Sequence, residues 1–176
     1  NLDISSLIDS FYGKDMESKF ISTRICRDVI NNLNEATNFK NEYRDVTIYY
    51  DESEDVKINK IDSILNFFDF FTGKKNSYKL VLFLSNETKR LSNKINYIGP
   101  DNVNTGYNIK GNIICIWRKE ELDKVLFHEI VHHLNLDMFS YQYIFNDYFL
   151  KLNLNSKFQN SNEAYTEVLG LILLSI

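Results

Sequence analysis

The chain has 176 residues, 44% of them hydrophobic and 25% charged, with a formal net charge of −4. That is the composition of an ordinary globular domain, long enough to bury one core without staples. It offers no Lys/Arg stripe for nucleic acid or an anionic membrane, and "KK" at 74–75 and "KR" at 89–90 are short enough to be solvated surface.

No repeat, low-complexity tract or linker interrupts the chain, and one proline with six glycines leaves most of it free for regular structure. Residues 15–36 space Phe20, Ile21, Ile25, Val29, Ile30 and Leu33 as one face of a long amphipathic helix. Residues 43–51 alternate Val46, Ile48 and Tyr50 and read as a strand. Residues 56–71 read as a second helix. "YKLVLFLS" (78–85) is a continuous apolar run of strand length, expected at the centre of a sheet with both faces covered.

A polar stretch follows, 86–108, with the only proline and two glycines. It exceeds the usual connection length and is expected to be functional or mobile. Residues 111–117 then read as a strand and 119–136 as a helix, with Val125, Leu126, Ile130, Val131 and Leu134 on its apolar side. Residues 137–152 read as a further helix. A last one spans 161–174, capped by Ser161 or Asn162. The order predicts an α+β fold: one domain over 1–176, with a small mixed sheet and C-terminal helices.

Cys26 falls in a predicted helix and Cys115 in a predicted strand. Two distant cysteines make no disulfide framework. They read as buried thiols of a reducing, intracellular compartment, or of an effector acting there, with a single disulfide as the alternative. The N-terminal residues show neither the basic start nor the apolar stretch of a signal peptide, and no run is long enough to span a bilayer. Asn1 in place of Met, and the apolar "VLGLILLSI" at the other end, point to a domain excised or processed from a longer chain.

All three histidines of the chain lie within "HEIVHH", 128–133. His128 and His132 are four apart, one turn along the same helix face, where two imidazoles converge on one Zn²⁺. Glu129 follows the first histidine and can reach a metal-bound water without ligating the metal. A chance His-Glu-x-x-His in this composition is expected roughly a few times in a thousand such chains. The flanking residues are mostly apolar, so the helix is buried and its histidines need partners. His133 is rotated about 100° from His132 and falls outside that site, beside it or partly exposed.

Two histidines leave a catalytic zinc short of its usual three protein ligands. Glu163 and Glu167, again four apart, are the next candidates: one to ligate, the other to accept a proton from the far nitrogen of a ligand histidine. Val168, Leu169, Leu171, Ile172 and Leu173 predict that this helix is buried.

"HEIVH" followed about thirty residues later by "NEAYTE" resembles the gluzincin class of zinc metallopeptidases. "NEAYTEVLGLI" is also similar to the corresponding segment of anthrax lethal factor-like peptidases. The resemblance covers roughly 111–174. It implies a zincin-like fold, a Zn²⁺ cofactor, His128, His132 and Glu163 as ligands, and Glu167 as the acid beside them. Metzincins fit worse, because Asn135 and Met138 stand where that class has glycine and a third histidine. Peptide deformylases need a cysteine ligand, and "NIICIW" around Cys115 lacks their context.

The activity expected from these residues is hydrolysis of a peptide bond in a protein or peptide substrate. Glu129 is the general base and then the proton donor to the leaving amine. An oxyanion partner is expected among Tyr107, Tyr141, Tyr143, Tyr148 and Tyr165, and "NTGYNIKGNIICI" is expected to supply an edge strand for an extended substrate. The alternatives are an inactive zinc-stabilised structural or interaction domain, in which Glu129 has no use, and a binding module without metal.

Overall fold

The computed structural model describes residues 29, 31–52, 55–89, 100–109, 112–137, 151 and 161–176. They form an α+β domain around one mixed sheet. The strands are β1 (Glu35–Lys40), β2 (Arg44–Tyr50), β3 (Tyr78–Phe83), β4 (Gly106–Ile109) and β5 (Ile113–Ile116), in the order β1-β2-β3-β5-β4. β2, β3 and β5 run parallel, and the two outer strands are antiparallel to their neighbours. Among the described residues, α1 (Ile58–Thr72), the single turn α2 (Pro100–Val103), α3 (Leu122–His133) and α4 (Ser161–Leu174) accompany the sheet.

The continuous apolar run over 78–85 is a strand covered on both faces, as its composition predicts. Leu80 and Leu82 join one buried cluster, Val81 and Phe83 another. The first cluster holds the three long helices against the sheet: Ile61, Ile64, Leu65 and Phe68 from α1, Leu126, Phe127, Ile130 and Val131 from α3, and Leu173 from α4. The second places Val29 and Leu33 against Tyr49, Val81, Cys115 and Trp117 on the far face. Each fully buried aliphatic or aromatic side chain contributes roughly 1.5–3 kcal/mol. The exposed pair Lys60–Asp123 adds at most about 1 kcal/mol. The apolar face of α3, with four such residues, therefore sets where its histidines stand.

Several expectations need correction. Of the predicted helix 15–36, residues 15–28 and 30 lie outside the described residues, 29 and 31–32 are helical, and the helix stops short of 35, where β1 begins. β1 has an exposed edge pattern with little apolar alternation, and its ladder to β2, from Glu35↔Tyr50 to Lys40↔Asp45, is what makes it a strand. The stretch 86–108 is not connection throughout, since it contains α2 and most of β4. A Cβ at Gly106 would meet the Cys115 carbonyl oxygen at 2.9 Å and Val125 Cγ1 at 3.0 Å, so only glycine lets β4 sit this close to β5 and α3.

α3 begins at Leu122 after a 3₁₀ turn (Lys119–Glu121) and ends at His133, not at 136. Asn135 is left-handed, φ 57°. Its N–H donates to the His132 carbonyl, and the Leu136 N–H donates to that of Val131, the paired bonds of a Schellman stop. Val131 belongs to the main core and Leu136 packs against it, half-buried. α4 departs from expectation in burial. Val168, Leu171 and Ile172 are about half exposed, and of the five apolar residues from 168 to 173 only Leu173 is buried. Most of the predicted helix 137–152, and Cys26, lie outside the described residues. Cys115 is buried in β5, and no helix among the described residues is long and apolar enough to cross a membrane.

Away from the histidines, Arg44 on β2 is buried against α1. It contacts Asp62 and donates to Asn66 Oδ1 at 2.7 Å and Asp69 Oδ2 at 3.1 Å. Asp69 also accepts from the backbone N–H and side-chain amide of Asn76. Burial alone would raise the Asp69 pKa, but these donors hold it below the usual carboxylate range. Arg44→Met leaves a buried carboxylate without its main countercharge. It should cost about 3 kcal/mol in urea unfolding, and a loss below about 1 kcal/mol would mean that Asn76 and Lys75 suffice.

Candidate metal centre

α3 carries the histidines along the floor of a cavity of about 580 Å³. β4 supplies one wall through Gly106, Tyr107 and Asn108, and α4 supplies Glu163 and Glu167. α4 packs along α3 with Gly170 facing the His128 backbone, where an added Cβ would make ordinary van der Waals contact at 3.5 Å from the nitrogen. That packing brings a carboxylate some thirty residues distant in sequence up to the two rings.

His128 Nε2 and His132 Nε2 are 3.1 Å apart. Glu163 Oε2 is 3.4 Å from each. These atoms form one close cluster. A point about 1.9 Å from all three lies at the centre of that triangle, by arithmetic on the sides. Donors at ~2.0–2.1 Å around a tetrahedral ion stand roughly 3.3–3.4 Å apart. The spacing and the donor set thus fit a small tetrahedral cation.

The outward nitrogens are held by carboxylates. His132 Nδ1 is 2.8 Å from Asp137 Oδ2. His128 Nδ1 is 3.2 Å from Glu167 Oε2, within ion-pair distance though off the line of a hydrogen bond, since the same nitrogen has no aligned partner. Each Nε2 is therefore left facing the centre. The sequence pattern foresees Glu167 but misses Asp137. Its signal is the Asn135 stop, which turns the chain back and delivers a carboxylate five residues after His132.

Without metal, the charges balance one another. Burial works to lower the His132 pKa, but Glu163 and Asp137 outweigh it and bring the ring up to about 9. Hydrogen bonds from both histidines hold Glu163 far below the carboxylate range. Glu129 is 8% exposed and lines the cavity beside the cluster without joining it. Desolvation raises its pKa to about 7, against the pull of His128 and His132 and with help from Glu163.

The remaining expectations separate. His133 points away, its Nε2 3.0 Å from the Ser77 carbonyl oxygen and its ring stacked on Tyr78. It ties the end of α3 to the start of β3. Tyr107 packs on Trp117 in the second core, Tyr165 does not line the cavity, and Tyr141, Tyr143 and Tyr148 lie outside the described residues. No family model, curated protein or solved structure matches the chain.

Proposed function

We propose that this domain is a zinc-dependent peptidase of gluzincin type, with His128, His132 and Glu163 as the zinc ligands and Glu129 as the general base. One observation carries the reading: both Nε2 atoms converge with Glu163 while both Nδ1 atoms face a carboxylate. Zinc held there supplies an electrophile for the carbonyl and brings the pKa of a water toward ~7.

The chain's own residues do the rest. Glu129, buried and poised near neutrality, takes the proton of the attacking water and returns it to the leaving amine. A carboxyl in that range can both accept and give a proton near pH 7. β4 stands at the sheet edge along the cavity wall, where an extended peptide can add as a further strand. Asn104 and Asn108, which also line the cavity, can contact such a strand.

Purified protein should carry one zinc per chain and cleave members of a diverse peptide library. Absence of stoichiometric zinc would sink the reading, and zinc without cleavage would favour the structural alternative. Affinity should also depend on pH. Zinc needs neutral imidazole, and His132 in the metal-free fold keeps its proton up to about pH 9. Binding should therefore strengthen with pH through the neutral range to that point, by about tenfold per unit for one proton released. The sign follows from the raised pKa: the His132 ion pairs stabilise the metal-free fold fully below the ordinary histidine pKa and fade as pH rises through 9. A zinc Kd flat from pH 6.5 to 8.5 would contradict this.

A further inference from the structure

We propose that Lys124 is a positioning residue of the metal centre: by clamping Glu167, it fixes the carboxylate that faces the His128 ring and so sets the affinity for zinc. The inference rests on the zinc reading above. Lys124 lies one turn before His128 on α3, and Glu167 one turn after Glu163 on α4. Lys124 Nζ is 2.5 Å from Glu167 Oε1, while Glu167 Oε2 is the oxygen 3.2 Å from His128 Nδ1. The two oxygens are thus divided, one to the lysine and one to the histidine.

That division matters because the histidine contact is not aligned well enough to hold the carboxylate alone. Glu167 also has Glu163 as a like-charged neighbour one turn away, an arrangement that is unfavourable on a helix. Lys124 offsets that repulsion and anchors the free end of the carboxylate. The nearest competitor for the lysine, Glu121, is already engaged, with its Oε2 2.6 Å from Lys89 Nζ and 2.9 Å from the Thr105 hydroxyl. Lys124 lines the cavity, but its contact is with Glu167 and not with the cluster of His128, His132 and Glu163. It meets the carboxylate on the Nδ1 side of the His128 ring, across the imidazole from the Nε2 that faces the centre.

The test is zinc affinity by chelator competition for the wild type, Lys124→Met, Lys124→Arg, Glu167→Gln and the Lys124→Met/Glu167→Gln double variant. Lys124→Met should weaken binding about tenfold, at the lower end of what groups behind a metal ligand contribute. Lys124→Arg should recover most of it, and the double variant should bind no more weakly than Glu167→Gln alone. The Lys124 side chain is 37% exposed, so the metal-free Lys124→Met protein should melt within a few degrees of the wild type. An affinity within twofold of wild type, losses that multiply in the double variant, or a matching collapse of the metal-free melting temperature would each overturn the proposal. A wild type that binds no zinc would overturn the zinc reading itself, before any substitution is compared.

Discussion

Glu129→Gln is expected to abolish peptide cleavage while leaving zinc in place. Gln keeps the shape and volume of the side chain but cannot take a proton, and a positioned general base is worth about 10²–10⁴ in rate. Glu129 lies outside the cluster formed by His128, His132 and Glu163, so zinc stoichiometry should not change. Activity within tenfold of wild type would remove Glu129 from the reaction, and loss of zinc would make it a ligand. A second readout is independent of substrate. The Glu129 carboxyl titrates near 7 in the fold, above its ordinary 4.5, because burial penalises its charge. The raised pKa means that the metal-free fold loses stability as pH rises from 4.5 to 7. Glu129→Gln should therefore melt higher than wild type at pH 8 and no higher at pH 4. That gain would mark a group whose burial costs stability, as expected where function needs a perturbed pKa.

Much of this centre is legible in the sequence because its main parts are local. His128, Glu129 and His132 take their places from the helix turn alone, once the apolar side of α3 is recognised. Glu163 and Glu167 are legible as a pair, but which of them stands beside both Nε2 atoms depends on how α4 packs on α3. Asp137 is hidden for a different reason. It reaches His132 through a left-handed Asn135, and a helix read through to 136 carries it past the ring.

The fold follows the same division. β2, β3, β5 and α1 announce themselves by apolar pattern, because the strands are largely buried and α1 buries one face. β1 and β4 do not, because their partners make them strands: the register with β2 in one case, and the gap that Gly106 leaves against Cys115 and Val125 in the other. The apolar run at the end of α4 misleads in the opposite direction. It predicts burial for Val168, Leu171 and Ile172, yet the face of α4 that meets α3 is lined by smaller or polar groups, Thr166 and Gly170 among them, with Leu173. Hydrophobicity along this helix therefore does not locate its contact face.

Glu163→Ala should lower zinc affinity far more than Glu167→Ala. Glu163 Oε2 is equidistant, at 3.4 Å, from the two Nε2 atoms, so its removal takes away one of three donors. It also strips His132 of one of the two carboxylates that balance it in the metal-free state, leaving Asp137. Glu167 faces only the far nitrogen of one ring, and groups in that position contribute about 10–100-fold in affinity. Glu163→Ala should exceed that range, and stoichiometric zinc should be lost on dialysis against a weak chelator. Its helix should survive, because Thr166 and Leu173 of α4 are buried and the Glu163 side chain is 54% exposed. Circular dichroism would therefore separate loss of metal from loss of fold. Equal losses for the two variants would mean that both carboxylates share the ion. The reverse order would make Glu167 the ligand and require the His128 ring to turn its Nδ1 toward the metal.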